Sequence, residues 1–549
     1  MENTIHGIFE KENQAPSSSQ TFDNTTAVIL YDDDNILGIN ISDLFTSICN
    51  PKKNYISSHE LWNILDRMGI RYEDPRLEEL KKYIQTIKQE IDSDSTNKKI
   101  RKPDFRNLIL RSTLLRNTLI GNLSIPDFPS LAQSIQEMYN KTKIIQEGKI
   151  ADYIPQLARV DPNMYAVSIC TVDGQRFSIG DFAEDFCLQS TCKPLLYCIA
   201  QEDLGEEKVH HHIGLEPSGL GFNELSLDRN NLPHNPMINA GAIMSCSLIK
   251  QELNIADRFD FIINTIQKLS GGKKPNFNNA VYLSERQTAD RNFALAHFMR
   301  EKNAFPPNTD LTQTLEFYFQ CCSIEVNAES MAVIGATLAN SGICPLTDKR
   351  IFKDRTVQNC LSLMLSCGMY DYSGEFAFKI GLPAKSGVSG ALLVVIPGLM
   401  GIAIWSPPLD KIGNCVRGLE FCNLLAKRYN VHKYDGLGSI DSTRNPKSKR
   451  YETKYRDIMA LIASASTGDL HEIQRLVAAG VNLNQGDYDY RTALHLAAAE
   501  GHIHVVKYLI DRKVNLNPRD RWGGTPISDA KKGKHEEVVE LLRVYGAIE

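Results

Sequence analysis

The chain is 549 residues long, 42% hydrophobic and 23% charged, which fits a globular protein of more than one domain. Its 61 Lys and Arg stand against 66 Asp and Glu, a formal charge of -5 that gives no electrostatic reason to expect nucleic acid or an anionic membrane as partner. Thirteen cysteines, odd in number and without CxxC spacing, argue against a disulfide framework or a zinc site and for a reducing compartment.

Residues 1–34 read as a disordered segment, with Ser17 to Gln20 offering nothing to bury. Near the start, Glu2, Glu10, Glu12 and Asp23 oppose a single Lys11, unlike a secretory signal or an arginine-rich organelle presequence. On that reading the chain is cytosolic, or its targeting segment lies outside it. Residues 35–145 read as helical. Ile41 to Ile48 is apolar, Ser57 to Glu60 forms a capping box ahead of Leu61, Trp62, Ile64, Leu65 and Met68, and Pro75 opens a further helix with Leu77, Leu80, Tyr83, Ile84 and Ile87 on one side. Asp92, Asp94 and Thr96 resemble the start of an EF-hand calcium loop. Asn97 stands where that loop needs glycine, however, and Pro103 where it needs a bidentate glutamate, so the domain is EF-hand-like without a credible calcium site.

Residues 150–435 are richer in Gly, Pro and short β-branched runs. Val167 to Val172 reads as a strand turned by Asp173-Gly174 into a partner, Arg176 to Ile179. Helical patterns fill Lys193 to Ser366, and Gly390 to Trp405 returns to strand, its apolar run broken by Pro397, Gly398 and Gly401 and too short to span a membrane. Strands at both ends of a helical middle predict a layered α+β domain. Within it, Ser190 and Lys193 form an SxxK pair, and Lys385, Ser386 and Gly387 follow as KSG. Residues i and i+3 share a helix face, so a desolvated lysine can serve as the base that a neutral serine lacks. Pro194 is tolerated where a helix has only begun, which sets Ser190 at the positive end.

A basic linker over 436–455 precedes a repetitive tail, 456–549. Thr492-Ala493-Leu494-His495 recurs as Thr525-Pro526-Ile527-Ser528, and His502, Val505, Val506 and Leu509 as His535, Val538, Val539 and Leu542, all at the ankyrin period; Gly468, Ile473 and Leu476 mark an earlier copy. An array of three units predicts ends covered by partner surface. Trp522, before the last unit, reads as a packing residue, with recognition as the alternative.

The strings YIPQLA from Tyr153, VDGQR from Val172, FCLQS ahead of Cys192-Lys193-Pro194, HNPMINAGAI from His234, SERQTADRN from Ser284, FYFQCCSIEV from Phe317, SCGMYD from Ser366, GLPAKSGVSG from Gly381 and WSPPLDKIGN from Trp405 resemble the serine-dependent glutaminases. The whole chain resembles their animal kidney/liver type. The resemblance implies a catalytic fold like that of serine β-lactamases and penicillin-binding proteins, flanked by an EF-hand-like domain and ankyrin repeats. It also implies hydrolysis of L-glutamine to L-glutamate and ammonia without a cofactor. It places the nucleophile at Ser190, the base at Lys193, a proton-shuttling tyrosine at Tyr370 and a tyrosine closing over the nucleophile at Tyr153. Substrate contacts fall on Asn239, Glu285, Asn292 and Tyr318, and the oxyanion hole on the backbone N–H groups of Ser190 and Val388. It further implies a homotetramer able to form longer oligomers, a mitochondrial address, and a protein partner for the ankyrin repeats. These roles are chemically coherent: a carboxylate faces an α-ammonium, amides donate to a carboxylate, and backbone donors hold an oxyanion.

One loop departs from the kidney type. Gly219 to Asp228 carries Glu224 where that type has lysine and Ser226 where it has phenylalanine. The family uses this loop in gating and in phosphate-dependent assembly, so an acid at 224 weakens any anion site there and sets phosphate activation in question. Two other readings stay open: an enzyme of the same fold acting on β-lactams or peptides, and a scaffold working through its ankyrin repeats with a silent catalytic domain.

Overall fold

The computed structural model describes residues 35–36, 39–49, 53–87, 97–219, 224–435, 452–478, 481–487 and 489–549. The segment 1–34, the calcium-loop positions Asp92, Asp94 and Thr96, and most of the linker lie outside the described residues.

The N-terminal helices form where the sequence signals them. Helix α1 (Ile41–Ile48) is capped by the Asn40 side chain, and the Ser57–Glu60 capping box closes the start of the helix Ser58–Arg67. Ile41, Leu44, Leu61, Leu65, Leu77, Leu80, Phe105 and Leu108 are buried together in one small core.

The central domain is built on one antiparallel sheet. Strands β1 (Ala166–Thr171) and β2 (Arg176–Gly180) form the expected hairpin. Strands β3 (Ala384–Ser386), β4 (Ala391–Ile396) and β5 (Met400–Trp405) come from far along the chain and complete the order β3-β4-β5-β1-β2. Because side chains alternate across a pleated strand, Leu393, Val395 and Ala403 enter one core while Leu392, Val394, Ile402 and Ile404 enter the other. Both faces are covered, which is why the strands read as continuous apolar runs.

The helices that carry the site lie in the larger core. They are α2 (Lys193–Leu204), α3 (Asn239–Leu248), α4 (Ile255–Leu269), α5 (Asn279–Gln287), α6 (Asp290–Glu301), α7 (Leu311–Cys322), α8 (Ala328–Ala339) and α9 (Asp354–Cys367). Helix α8 lies directly on β5: a Cβ at Gly401 would sit 2.2 Å from the Ala336 backbone nitrogen, so any larger residue would force helix and sheet apart. The result is the α+β layered domain expected from the sequence.

The EF-hand-like domain is fastened to this sheet and to the repeats. Fully buried Gln175, in the β1–β2 turn, donates to the carbonyls of Met68 (3.1 Å) and Ile125 (3.0 Å) and accepts from the Ile125 N–H (3.1 Å), so its amide is satisfied by the neighbouring domain. Arg71 pairs with Glu329 at the start of α8. On the other side, α1 packs against α10 (Leu470–Ala478) of the first ankyrin unit, and Arg512 pairs at 2.6 Å with Asp43, which is 3% exposed. The chain's own N-terminal domain therefore covers part of the array, at α10 of the first unit and at Arg512 of the second. The packing role read for Trp522 is corrected. It is 71% exposed and does not pack, because the finger before the last unit turns at Asp520, whose side-chain Oδ1 accepts from the Trp522 and Gly524 N–H groups and so orients the loop without the indole.

Candidate active site

Ser190 lies in the turn Gln189–Cys192, three residues before α2 begins at Lys193. Gln189 is left-handed (φ 47°), a strained geometry for a residue with a side chain and of the kind found where a functional side chain must be presented. Tyr370 shares it (φ 53°) in the turn after α9. The Ser190 hydroxyl interacts with the Tyr370 phenol. From the sheet side β3 closes in: a Cβ at Gly387 would lie 3.1 Å from the Leu188 carbonyl oxygen and from Thr191 Cγ2, so a side chain there would push the KSG strand off the Ser190 turn. The next residue, Val388, is outside any strand, and among the described residues its N–H donates to no backbone carbonyl.

Lys193 is fully buried. Burial pulls its ammonium down to about 8 and outweighs the opposing influence of the Cys322 and Cys192 thiols. Its Nζ donates to Asn239 Oδ1 at 2.6 Å. The same oxygen accepts from the Tyr318 hydroxyl at 3.3 Å, and Asn239 Nδ2 donates to Asn292 Oδ1 at 3.2 Å. A hydrogen-bonded line thus runs from the start of α2 through α3 to α6, with Tyr318 of α7 joining at its middle. Asn239 is the first residue of α3 and not a turn residue.

Lys385 is buried just as completely. Burial, then the neighbouring Lys193 charge, holds its ammonium well below the usual range. It donates to the carbonyls of Gly368 (3.0 Å) and Ser386 (2.8 Å), and its Nζ lies 4.5 Å from the Tyr370 ring centroid. It therefore braces Tyr370 from behind.

Glu285 on α5 completes the site. Tyr153, 46% exposed at the rim, donates its hydroxyl to Oε1 at 2.6 Å, and Gln189 Nε2 donates to the same oxygen at 2.9 Å. Among the described residues Oε2 accepts no hydrogen bond. Burial raises the carboxyl above its ordinary range against the pull of those two donors. Gln189 was missed in the sequence reading; its position beside the serine was the available signal, but nothing local tells that its amide reaches a carboxylate 96 residues away.

Eight predicted site residues therefore meet in one place: Ser190, Lys193, Tyr370, Asn239, Asn292, Tyr318, Glu285 and Tyr153. Val388 closes the same region, packed near Ile154, Cys187 and Val281. A cavity of about 510 Å³ opens beside Tyr370, between Pro217, Asn235 and Ser373. From the loop that departs from the kidney type, Glu224 reaches Arg291 on α6 at 3.6 Å, one residue before Asn292. Ligand-type side chains for a metal come together, among the described residues, at His495, Asp520 and Asp529 in the repeats, remote in sequence from this site. Their atoms are already engaged by Gly524, Thr492, Arg491 and the Asp520 turn.

Residues 148–434 match the Glutaminase family. The chain belongs to the glutaminase family. Residues 41–126 match an EF-hand domain and 460–548 three ankyrin repeats, so the glutaminase domain is flanked on both sides. The mitochondrial liver isoform of glutaminase from Rattus norvegicus is 44% identical over 505 residues, covering 91% of this chain and 83% of the relative. A glutaminase of Nostoc sp. is 41% identical over 316 residues, covering 57% of this chain and 93% of its own, which matches the catalytic domain without the flanking parts. A solved structure described as "Probable glutaminase ybaS" superimposes with a TM-score of 0.52 at 38% identity, over 54% of this chain and 96% of its own.

Proposed function

We propose that this chain hydrolyses the side-chain amide of L-glutamine to L-glutamate and ammonia through an acyl-enzyme on Ser190. The observation that carries this reading is the bond from Gln189, next to the serine, to Glu285: it sets a carboxylate able to hold an α-ammonium at a fixed place beside a buried Ser-Lys pair. Lys193, neutral above about 8, takes the Ser190 proton as Oγ attacks the amide carbon. The oxyanion falls to the N–H groups of Ser190 and Val388. Collapse breaks the C–N bond, and the proton held by Lys193 passes to the departing nitrogen, with Tyr370 as relay. Water then attacks the ester, giving its proton back along the same path and restoring the serine as glutamate leaves. Asn292 and Asn239 are the amides that face the substrate carboxylate, and Tyr153 covers the rim. Release of ammonia from glutamine by the purified chain, with none from peptides or β-lactams, tests the assignment.

A pH profile follows from Lys193. Its protonated form cannot accept the serine proton, so kcat/KM is expected to rise with pH through about 8. A profile flat from one pH unit below that value to one above would remove Lys193 as the base.

The loop charge bears on regulation. Glu224 pairs with Arg291, so the only loop position where the kidney type offers a lysine here offers a carboxylate already matched to a cation. Phosphate is expected to stimulate this enzyme less than its kidney-type relatives. Glu224→Lys, which reverses the charge at this position, is expected to increase stimulation, most clearly at low ionic strength. Ammonia release and light scattering over a phosphate titration check this; identical curves for parent and variant would place phosphate elsewhere. The same scattering measurement tests the proposed homotetramer and its growth into longer oligomers. The rat relative's mitochondrial designation supports that compartment for this chain, tested by organelle fractionation, and the ankyrin repeats support a protein partner.

A further inference from the structure

The end of α2 opposite Lys193 opens on a second cavity, of about 780 Å³, between α2, α4 and the segment from Thr347 to Phe352. It meets α2 first at Ile199, six residues or roughly 9 Å along the helix from Lys193, and none of Ser190, Lys193 or Tyr370 lines it, so this space is separate from the site around Ser190. Its wall is apolar: Ile199 and Phe352 are 3% and 2% exposed, and Phe261 stands beside them.

The charges around it do not cancel. Asp203 is taken by Lys250. Glu202 is taken by the start of α9, accepting from the Lys353 N–H at 3.0 Å and the Thr356 hydroxyl at 2.9 Å, with Lys353 Nζ at 3.6 Å. Arg350 is held by Asp354 and by the carbonyls of Ser341 (3.0 Å) and Phe352 (3.3 Å). Lys268 and Lys349 line the same cavity and have no carboxylate partner among the described residues. Both acids are thus used by the protein itself, while two cations remain beside an apolar wall.

Exposed lysines on an ordinary surface are simply solvated. Here they border a concave space lined by Ile199, Phe261, Ile351 and Phe352 together with Asn264 and Gln267, which is the pattern of a ligand pocket: an apolar lining with polar groups that fix orientation. A bare inorganic anion would leave the phenylalanine wall wet, and a neutral apolar molecule would leave the lysines unmatched. A zwitterion such as an amino acid would bring its ammonium near Lys268 and Lys349, with both lining carboxylates already paired. We propose that this cavity binds a small organic anion with an apolar body, its anionic head between Lys268 and Lys349 and its body against Phe261 and Phe352.

The test uses the full chain and anilinonaphthalene sulfonate, a fluorescent anion with an aromatic body, in saturating L-glutamate so that the Ser190 pocket is filled. One saturable site per chain is expected, weakened by added salt. Lys268→Glu with Lys349→Glu is expected to raise the Kd at least about 10-fold, since two attractions become repulsions, while Lys268→Arg with Lys349→Arg retains binding. Glutamine hydrolysis unchanged in both double variants shows that the fold is intact. An unaltered Kd in the glutamate variant, equal loss in the arginine variant, or indifference to salt overturns the proposal. So does absence of probe binding by a parent oligomer that dissociates in the glutamate variant, which would assign the cavity to a second copy of the chain.

Discussion

Ser190→Ala is expected to abolish the acyl-enzyme and to lower ammonia release from glutamine by on the order of 10⁴-fold or more, because the oxygen that accepts the acyl group is gone and the remaining groups of such a unit cannot substitute for it. Lys193→Ala is expected to lose at least ~10²-fold in kcat, the lower range for a proton-transfer group. The two defects differ in kind. Without Lys193 the residual rate should no longer rise through about 8, and the methyl group left behind also strips Asn239 Oδ1 of its 2.6 Å donor, so KM should increase as well. Intact-protein mass after a rapid quench reads the acyl adduct directly. Turnover near the parent value in either variant would falsify the Ser-Lys mechanism.

Glu285→Gln is expected to raise KM for glutamine by on the order of 10²-fold, the scale of leaving a buried ammonium without its counter-charge. The substitution keeps the shape and one acceptor oxygen, so the Tyr153 and Gln189 donors at 2.6 and 2.9 Å can still be met and the local structure should hold. The loss is then electrostatic. N-acetylglutamine removes the same interaction from the other partner and should be a poor substrate of the parent but no worse for the variant. A parent enzyme that hydrolyses the acetylated and free amino acids equally well would show that Glu285 does not face the α-ammonium. The raised carboxyl of Glu285 adds a sign: its ionised form is lost as pH falls, so affinity for glutamine should weaken toward acid at a pH above that of an ordinary glutamate.

Much of the site was legible because its elements are local. Ser190 and Lys193 are one helical turn apart, Pro194 marks the helix start, and Lys385 to Gly387 lie on a short strand. The capping box at Ser57 and the 33-residue ankyrin period are equally local. Other features depend on distant partners. Asn239 stands as a substrate contact through the resemblance alone, and only the placing of α3 sets it on Lys193. Lys385 had no settled role until folding laid it over Tyr370. Glu224 read as an exposed acid, yet its meaning rests on Arg291, which only the docking of its loop on α6 reveals. Trp522 read as a packing residue because tryptophan usually is one, and it is exposed because the repeats bury their helices and leave the finger tips to solvent.

By itself the sequence pointed to the Ser190–Lys193 pair and gave the order in which the parts follow, since spacing along a helix, a strand alternation or a repeat is set by a few neighbouring positions. The tertiary structure decided their properties. Lys193 and Lys385 are ordinary lysines in sequence, and their ammonium groups are held below the usual range because folding buries both completely, Lys385 also beside the Lys193 charge. Glu285 is fixed beside the Ser-Lys pair because Gln189, in its left-handed turn, reaches it across the fold. The covering of part of the ankyrin array by α1, through Arg512 and Asp43 more than 400 residues apart, is likewise set by long-range complementarity, for which a linear sequence carries no local signal.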